Sequence, residues 1–262
     1  FFESLKNGLS QLSNLQILKL DFDPDAKDDI TDASLLCLKD SLSSMKDLFH
    51  FTLRLNHCLN ISDNGFGKLT HSFKYLLSLQ EVYLDFYRCP SLTDEGLKGL
   101  RSGLFANRSL TVFQLDLAYC RSITNVGLKY VKDALSGSER LLSLHLNFDS
   151  CKITDEGVDS LQQSIKKHTS LEELSIIISN CHEITDKTIR RLKDAVGSLN
   201  KLRTLNVHFD MCIKTTKKYL DSFKESVKEI PLESLNLSYS CLKIDYSSLQ
   251  PKKVASGILK KK

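Results

Sequence analysis

Apolar residues along this chain keep two alternating rhythms. In the first, every second position is apolar, as in Leu18, Leu20 and Phe22; Phe51, Leu53 and Leu55; Phe113, Leu115 and Leu117; and Leu174, Ile176 and Ile178. A period of two puts one side of an extended strand in a core and leaves the other open. In the second rhythm the apolar residues stand three or four apart. Leu35, Leu38, Leu42 and Met45 do so, as do Phe66, Leu69, Phe73 and Leu76, and Ile189, Leu192, Val196 and Leu199. That spacing predicts a helix with one buried stripe. Strand and helix phrases alternate along the chain, with units opening at Leu15, Leu48, Leu79, Leu110, Leu141, Leu171, Leu202 and Leu232. A period of about thirty-one residues marks an array in which each unit packs on its neighbours.

The joint between strand and helix is as regular as the elements. Cys58, Cys89, Cys120, Cys151, Cys181 and Cys212 each sit ten residues after the first leucine of their unit. Ile-Thr-Asp or a close variant follows, for example Leu92-Thr93-Asp94 and Ile153-Thr154-Asp155. The Thr suits the cap of the next helix and the Asp its positive end. Gly65, Gly96, Gly127 and Gly157 come next, and are expected to let the helix start approach the strand. Parallel strands joined by crossover helices coil right-handedly. Strands stack at about 4.8 Å and helices at about 8–10 Å, so the array must curve with strands inside. The cysteines lack metal-ligand spacing and belong to the repeat, which predicts free, inward-pointing thiols satisfied within a tight turn.

The phrase Leu-x-x-Leu-x-Leu, then Cys, then Ile-Thr-Asp-x-Gly-Leu resembles the cysteine-containing leucine-rich repeats, over residues 15 to about 230. The resemblance implies an α/β solenoid: a right-handed horseshoe with a parallel sheet on the concave face and helices on the convex face. Here the Cys falls two residues later than in that family. The extra step, as in Leu84-Asp85-Phe86, predicts a longer strand. Residues 1–14 read as the helix of a partial upstream repeat and 15–231 as seven repeats. Residues 232–251 read as a degenerate cap and 252–262 as a basic tail. A chain that opens in mid-repeat is expected to have sequence upstream. The best-known similar proteins are substrate receptors of ubiquitin ligases, which makes a recognition subunit with its effector segment upstream one expectation. Other leucine-rich repeat proteins stimulate GTPases, and would place Arg88 and Arg121 in adjacent turns.

Charge sharpens the picture only when it is placed on the fold. The total is +4, which argues for neither nucleic acid nor membrane, and no apolar run is long enough for a bilayer. The open strand positions are another matter. Asp21, Asp23, Glu81, Asp85, Asp116, Asp149, Glu173 and Asp210 stand there against Lys19 and Arg54 alone. A concave wall of one sign favours a partner protein with a basic surface. Tyr83 and Tyr87 flank Asp85 as aromatic anchors. The expected protein-binding residues are Glu81, Tyr83, Asp85, Tyr87, Asp116, His145, Asp149, Glu173, His208 and Asp210. His145, His208, Asp149 and Asp210 lie too far apart for a catalytic dyad, so neither metal nor cofactor is expected. Lys166, Lys167, Arg190, Arg191, Lys193, Lys217 and Lys218 offer the outer helices, with the tail, to an acidic partner. The expected function is a non-catalytic interaction scaffold in the cytoplasm, within a cytoskeletal or ciliary assembly.

Overall fold

The computed structural model describes residues 2–22, 29–105 and 107–240. Asp23, Cys241 and the basic tail lie outside these residues. Helix and strand alternate from the start: α1 (Phe2–Leu9), β1 (Ile17–Asp21), α2 (Asp32–Leu42), β2 (His50–Arg54), α3 (Asp63–His71) and β3 (Glu81–Asp85). They continue as α4 (Asp94–Leu104), β4 (Val112–Asp116), α5 (Asn125–Leu135), β5 (Ser143–Asn147), α6 (Asp155–Ile165) and β6 (Glu173–Ile177). The series closes with α7 (Asp186–Val196), β7 (Thr204–His208), α8 (Lys217–Val227) and β8 (Ser234–Ser238). All eight strands form one parallel sheet in sequence order. Among the described residues no helix is long and apolar enough to cross a membrane.

Each strand has five residues, and its inward positions line up in register, as Phe51, Val82, Phe113, Leu144, Leu174 and Leu205 do. The extra step lies past the strand ends. Its apolar residues, Leu55, Phe86, Leu117, Phe148, Ile178 and Phe209, are all buried. Phe86 meets Phe66 of α3 edge to face at 4.8 Å. Inter-unit hydrogen bonds also run on, the Phe86 amide donating to the Asp116 carbonyl at 3.0 Å. The step therefore adds a third apolar row beneath the turn.

The aspartate of each Thr-Asp pair does more than face its own helix dipole. Asp94, first residue of α4, reaches into the next unit and accepts from the Thr124 amide at 2.8 Å, the Thr124 hydroxyl at 2.6 Å and the Gly127 amide at 2.9 Å. Thr124 meanwhile caps its own helix by accepting from the Val126 amide. Asp32, Asp63, Asp155 and Asp186 hold Ser62, Thr93, Thr185 and Thr216 in the same way. Asn125 stands in the series with its amide donating to the Thr154 hydroxyl and its carbonyl accepting the Thr154 amide. Burial alone would raise the Asp155 carboxyl, but the donors of Thr185 and Thr188 outweigh it and hold it below the usual range. These links give the glycines a different reason from the expected one. A Cβ at Gly127 would fall 2.5 Å from Asp94 Oδ1, so the small residue makes room for the preceding unit's carboxylate, not for the strand.

The cysteines complete the turn. The Sγ atoms of Cys89, Cys120, Cys151 and Cys212 donate to the carbonyls of Leu55, Phe86, Leu117 and Ile178 in the preceding unit, at 3.1–3.2 Å. All six are free thiols. Burial pushes the Cys120 thiol up to about 12, so these are packed donors and not thiolate nucleophiles. Before each of them stands a residue with left-handed backbone: His57, Arg88, Tyr119, Ser150, Asn180 and Met211, at φ between 55° and 62°.

Replacing Asp94 by Ala removes three inter-unit bonds and strands two amides, for an expected loss of about 2–3 kcal/mol. Because units touch only their neighbours, urea unfolding of this variant should also show a lower m value. Met211→Gly should act in the opposite sense. It removes a left-handed conformation that costs an L-residue about 1–2 kcal/mol, set against the larger entropy of glycine in the unfolded chain. A net gain of about 0.5–1 kcal/mol is expected, read as a higher Tm.

Candidate protein-binding wall

The open faces of the strands form continuous rows across the sheet. One row runs His50, Glu81, Val112, Ser143, Glu173 and Thr204, and a second runs Thr52, Tyr83, Gln114, His145, Ser175 and Asn206. A third runs Arg54, Asp85, Asp116, Asn147, Ile177 and His208. A fourth lies just past the strand ends: the left-handed residues donate their amides to the carbonyls of Tyr87, Ala118, Asp149, Ser179 and Asp210 in the following unit. All ten expected binding residues stand on this face. Glu173 is exposed and the other nine are half-buried.

Asp85 and Asp116 are register neighbours on β3 and β4, and Asp149 follows one strand further. Each also serves the wall itself. Asp85 and Asp116 accept from the amides of Tyr87 and Ala118, two residues on, at 3.2 and 2.9 Å. Their second oxygens accept from the Asn56 and Asn147 side chains. Asp149 accepts from Asn180 at 2.9 Å, and Asp210 from the Ser238 hydroxyl and the Ser240 amide. These local bonds do not neutralise the charge. Burial raises the Asp116 carboxyl above its usual range, and the charges of Asp85 and Asp149 push it the same way. No lysine or arginine occupies the β3–β7 rows.

Aromatic groups gather at the β2–β4 end. Tyr83 stacks on His50 at 5.1 Å, whose Nδ1 lies 2.7 Å from Glu81 Oε2. Tyr87 packs edge to face between His57 and Tyr119, at 5.1 and 5.4 Å. Tyr119 and His57 were not expected here, since both precede a cysteine and fall outside the strand alternation. Their signal is the left-handed turn, which the sequence does not announce without a glycine. Further along, Tyr83, Gln114, His145, Glu173 and Asn206 line a hollow of about 310 Å³.

Some expected positions differ. His50, Thr52, Ala118 and Ser179 are closed off, each 8% exposed or less, because neighbouring units crowd over small or flat side chains on a concave surface. Asp21 is paired with Arg54 at 3.1 Å, so the unpaired acidity begins at β3. His145 and His208 occupy different rows with β6 between them, and among the described residues no group of three His, Cys, Asp or Glu side chains could hold a metal ion. On the helix face Arg191 pairs with Asp159, Lys129 with Glu156 and Arg101 with Asp133. Arg190 lies 5.3 Å from the Tyr219 ring centre. Of the seven outer-helix cations, Arg191 alone has a carboxylate partner among the described residues.

A family model described as a leucine-rich repeat matches residues 144–161, which run from β5 through the Cys151 turn into α6. The matched strand, turn and helix are the unit that recurs along the sheet, and the fold is that of a leucine-rich repeat solenoid. No curated protein matches it. Leucine-rich repeat folds typically act as interaction scaffolds without catalytic chemistry, and this wall has the continuous face that such a role requires.

Burial lowers the pKa of His145, with the nearby His208 adding to it, and burial also lowers that of His208. The fold therefore favours neutral imidazoles, and their stabilising contribution is complete above the unfolded value of 6.5. It is lost as pH falls through the lower folded values, because the unfolded chain then binds more protons. His168 and His71 shift in the same direction. Tm should fall between pH 7.5 and pH 5, and His145→Gln/His208→Gln should reduce that fall without abolishing it.

Proposed function

We propose that this protein is a non-catalytic scaffold that holds a partner protein with a basic surface against the acidic rows of β3–β7. The observation that carries the reading is the run of Asp85 on β3, its register neighbour Asp116 on β4, and Asp149 just past the end of β5. There burial, and after it the charges of Asp85 and Asp149, raise the pKa of the Asp116 carboxyl, so its charged form carries a cost. Such a cost is offset when cations of a partner approach. Tyr83 and Tyr87 supply the apolar anchors beside that charge, and Glu81, Glu173 and Asp210 extend its field. The width of the wall suits a long partner surface more than a small molecule, and the setting we propose is a larger cytoplasmic assembly of the cytoskeletal or ciliary kind.

The test is a quantitative pull-down with the wild type, Asp85→Asn/Asp116→Asn, and a helix-face control, Lys166→Glu/Lys167→Glu. Asparagine keeps the oxygen that the Tyr87 and Ala118 amides need while removing the charge, and circular dichroism checks the fold. Partners retained by the control and reduced about tenfold or more by the wall variant place binding on the acidic rows. Equal recovery with all three proteins would sink the reading.

A further inference from the structure

One of the six cysteine turns is shorter than the rest. From Cys120 to Thr124 the turn reads Cys-Arg-Ser-Ile-Thr, and from Cys181 to Thr185 it reads Cys-His-Glu-Ile-Thr. Between them Cys151-Lys152-Ile153-Thr154 is one residue shorter. Backbone pairing shows which place is missing. Lys152 bridges to Thr124 as Ser122 does to Thr93 and Glu183 to Thr154, so this unit lacks the counterpart of Arg121 and His182. The shortened turn leaves a notch of about 740 Å³ lined by Tyr119, Arg121, Cys151, Lys152, Asn180 and His182, among others. Cys151 is 5% exposed, against 1% or less for the other five cysteines of its row.

The lining has a definite sign. Arg121 and Lys152 are exposed, and neither has a carboxylate partner among the described residues. The one carboxylate in the lining, Glu183, is paired with Lys214 at 2.5 Å. Asp149 lies behind the notch, where it accepts from Ser150 and Asn180. A guanidinium fork, an ammonium and an imidazole thus surround a space left by a missing residue. The chemistry suited to two cations lining one notch is a dianion with several acceptor oxygens, which is a phosphate monoester.

We propose that the notch binds a phosphorylated serine or threonine of a partner peptide that carries basic residues beside it. A nucleic acid or an anionic membrane would bring many negative charges against Asp149, Asp210 and the rest of the wall. A single phosphate among lysines or arginines matches both surfaces. The basic flanks rest on the reading of the wall given above; the phosphate rests on the notch alone.

Calorimetric titration with three peptides of identical lysine flanks, carrying phosphoserine, serine or glutamate, tests this. The wild type should bind the phosphoserine peptide about tenfold or more tighter than the other two. Arg121→Ala/Lys152→Ala should bring that ratio to about one while leaving the affinity for the serine peptide unchanged. Inserting one serine after Cys151, which restores the length of the neighbouring turns, should do the same by filling the notch. Thermal unfolding confirms that both variants fold. Asp85→Asn/Asp116→Asn should weaken all three peptides and preserve the ratio. Equal binding of the three peptides by the wild type, a preference that survives Arg121→Ala/Lys152→Ala, or no binding of the phosphoserine peptide overturns the notch. The wall reading fails separately, when the serine peptide ignores the loss of Asp85 and Asp116 charge.

Discussion

The array depends on a carboxylate that belongs to one unit and does its bonding in the next. A leucine-rich unit cannot bury its own apolar face, so what matters is how firmly one unit is set on another. Backbone pairing fixes the strand side of each unit. On the helix side side chains must do it, and the Asp-to-Thr link does so where a helix begins. It satisfies a threonine amide that would otherwise lack a partner and orients the hydroxyl that caps the following helix. The glycine two residues beyond the aspartate, the threonine before it and the carboxylate of the preceding unit are thus one device. Thr188 shows its latitude: a residue larger than glycine is accepted there because its own hydroxyl donates to Asp155. Lys217 ends the series, since an ammonium cannot accept those bonds.

Much of this was legible in the sequence, because the period exposes the fold through repetition. The two rhythms predict β1–β8 and the helices between them, and the position of each cysteine predicts its burial. The Asp-to-Thr link was harder to see. Its partners are about thirty residues apart, and a Thr-Asp pair before a helix reads equally well as a local cap. The longer-strand expectation took Leu84 and Phe86 as two steps of one strand. Both are inward and buried, but Arg88, two residues after Phe86, is left-handed and turns the chain, so that the second step becomes a floor for the turn. The open face of each strand was legible because alternation along the strands is strict. His50 and Thr52 were misjudged because exposure on a curved inner surface depends on what the next unit puts over it.

The wall shows how a surface can serve stability and recognition with the same atoms. One oxygen of Asp85 or Asp116 secures the chain where it leaves the strand, and the charge remains available outward. Aromatic groups are concentrated toward β2–β4, whereas polar neutral groups and the two lowered histidines lie toward β5–β7, and acidic groups stand at both ends. A long partner would therefore meet two different environments along one face. Both carry acidic charge; the first adds flat apolar area, and the second adds hydrogen-bonding groups whose imidazoles stay neutral near pH 7.

The six left-handed residues before the cysteines carry a consequence of their own. Each spends its backbone amide on the neighbouring unit, and none of the six is buried. Their side chains are consequently exempt from both rhythms: they are neither core nor part of the two-residue alternation. Histidine, arginine, tyrosine, serine, asparagine and methionine follow one another along that edge with no common character. The rim of this repeat protein is in effect a separate line of text written beside the fold, one letter per unit, which can be changed without rewriting the structure that displays it.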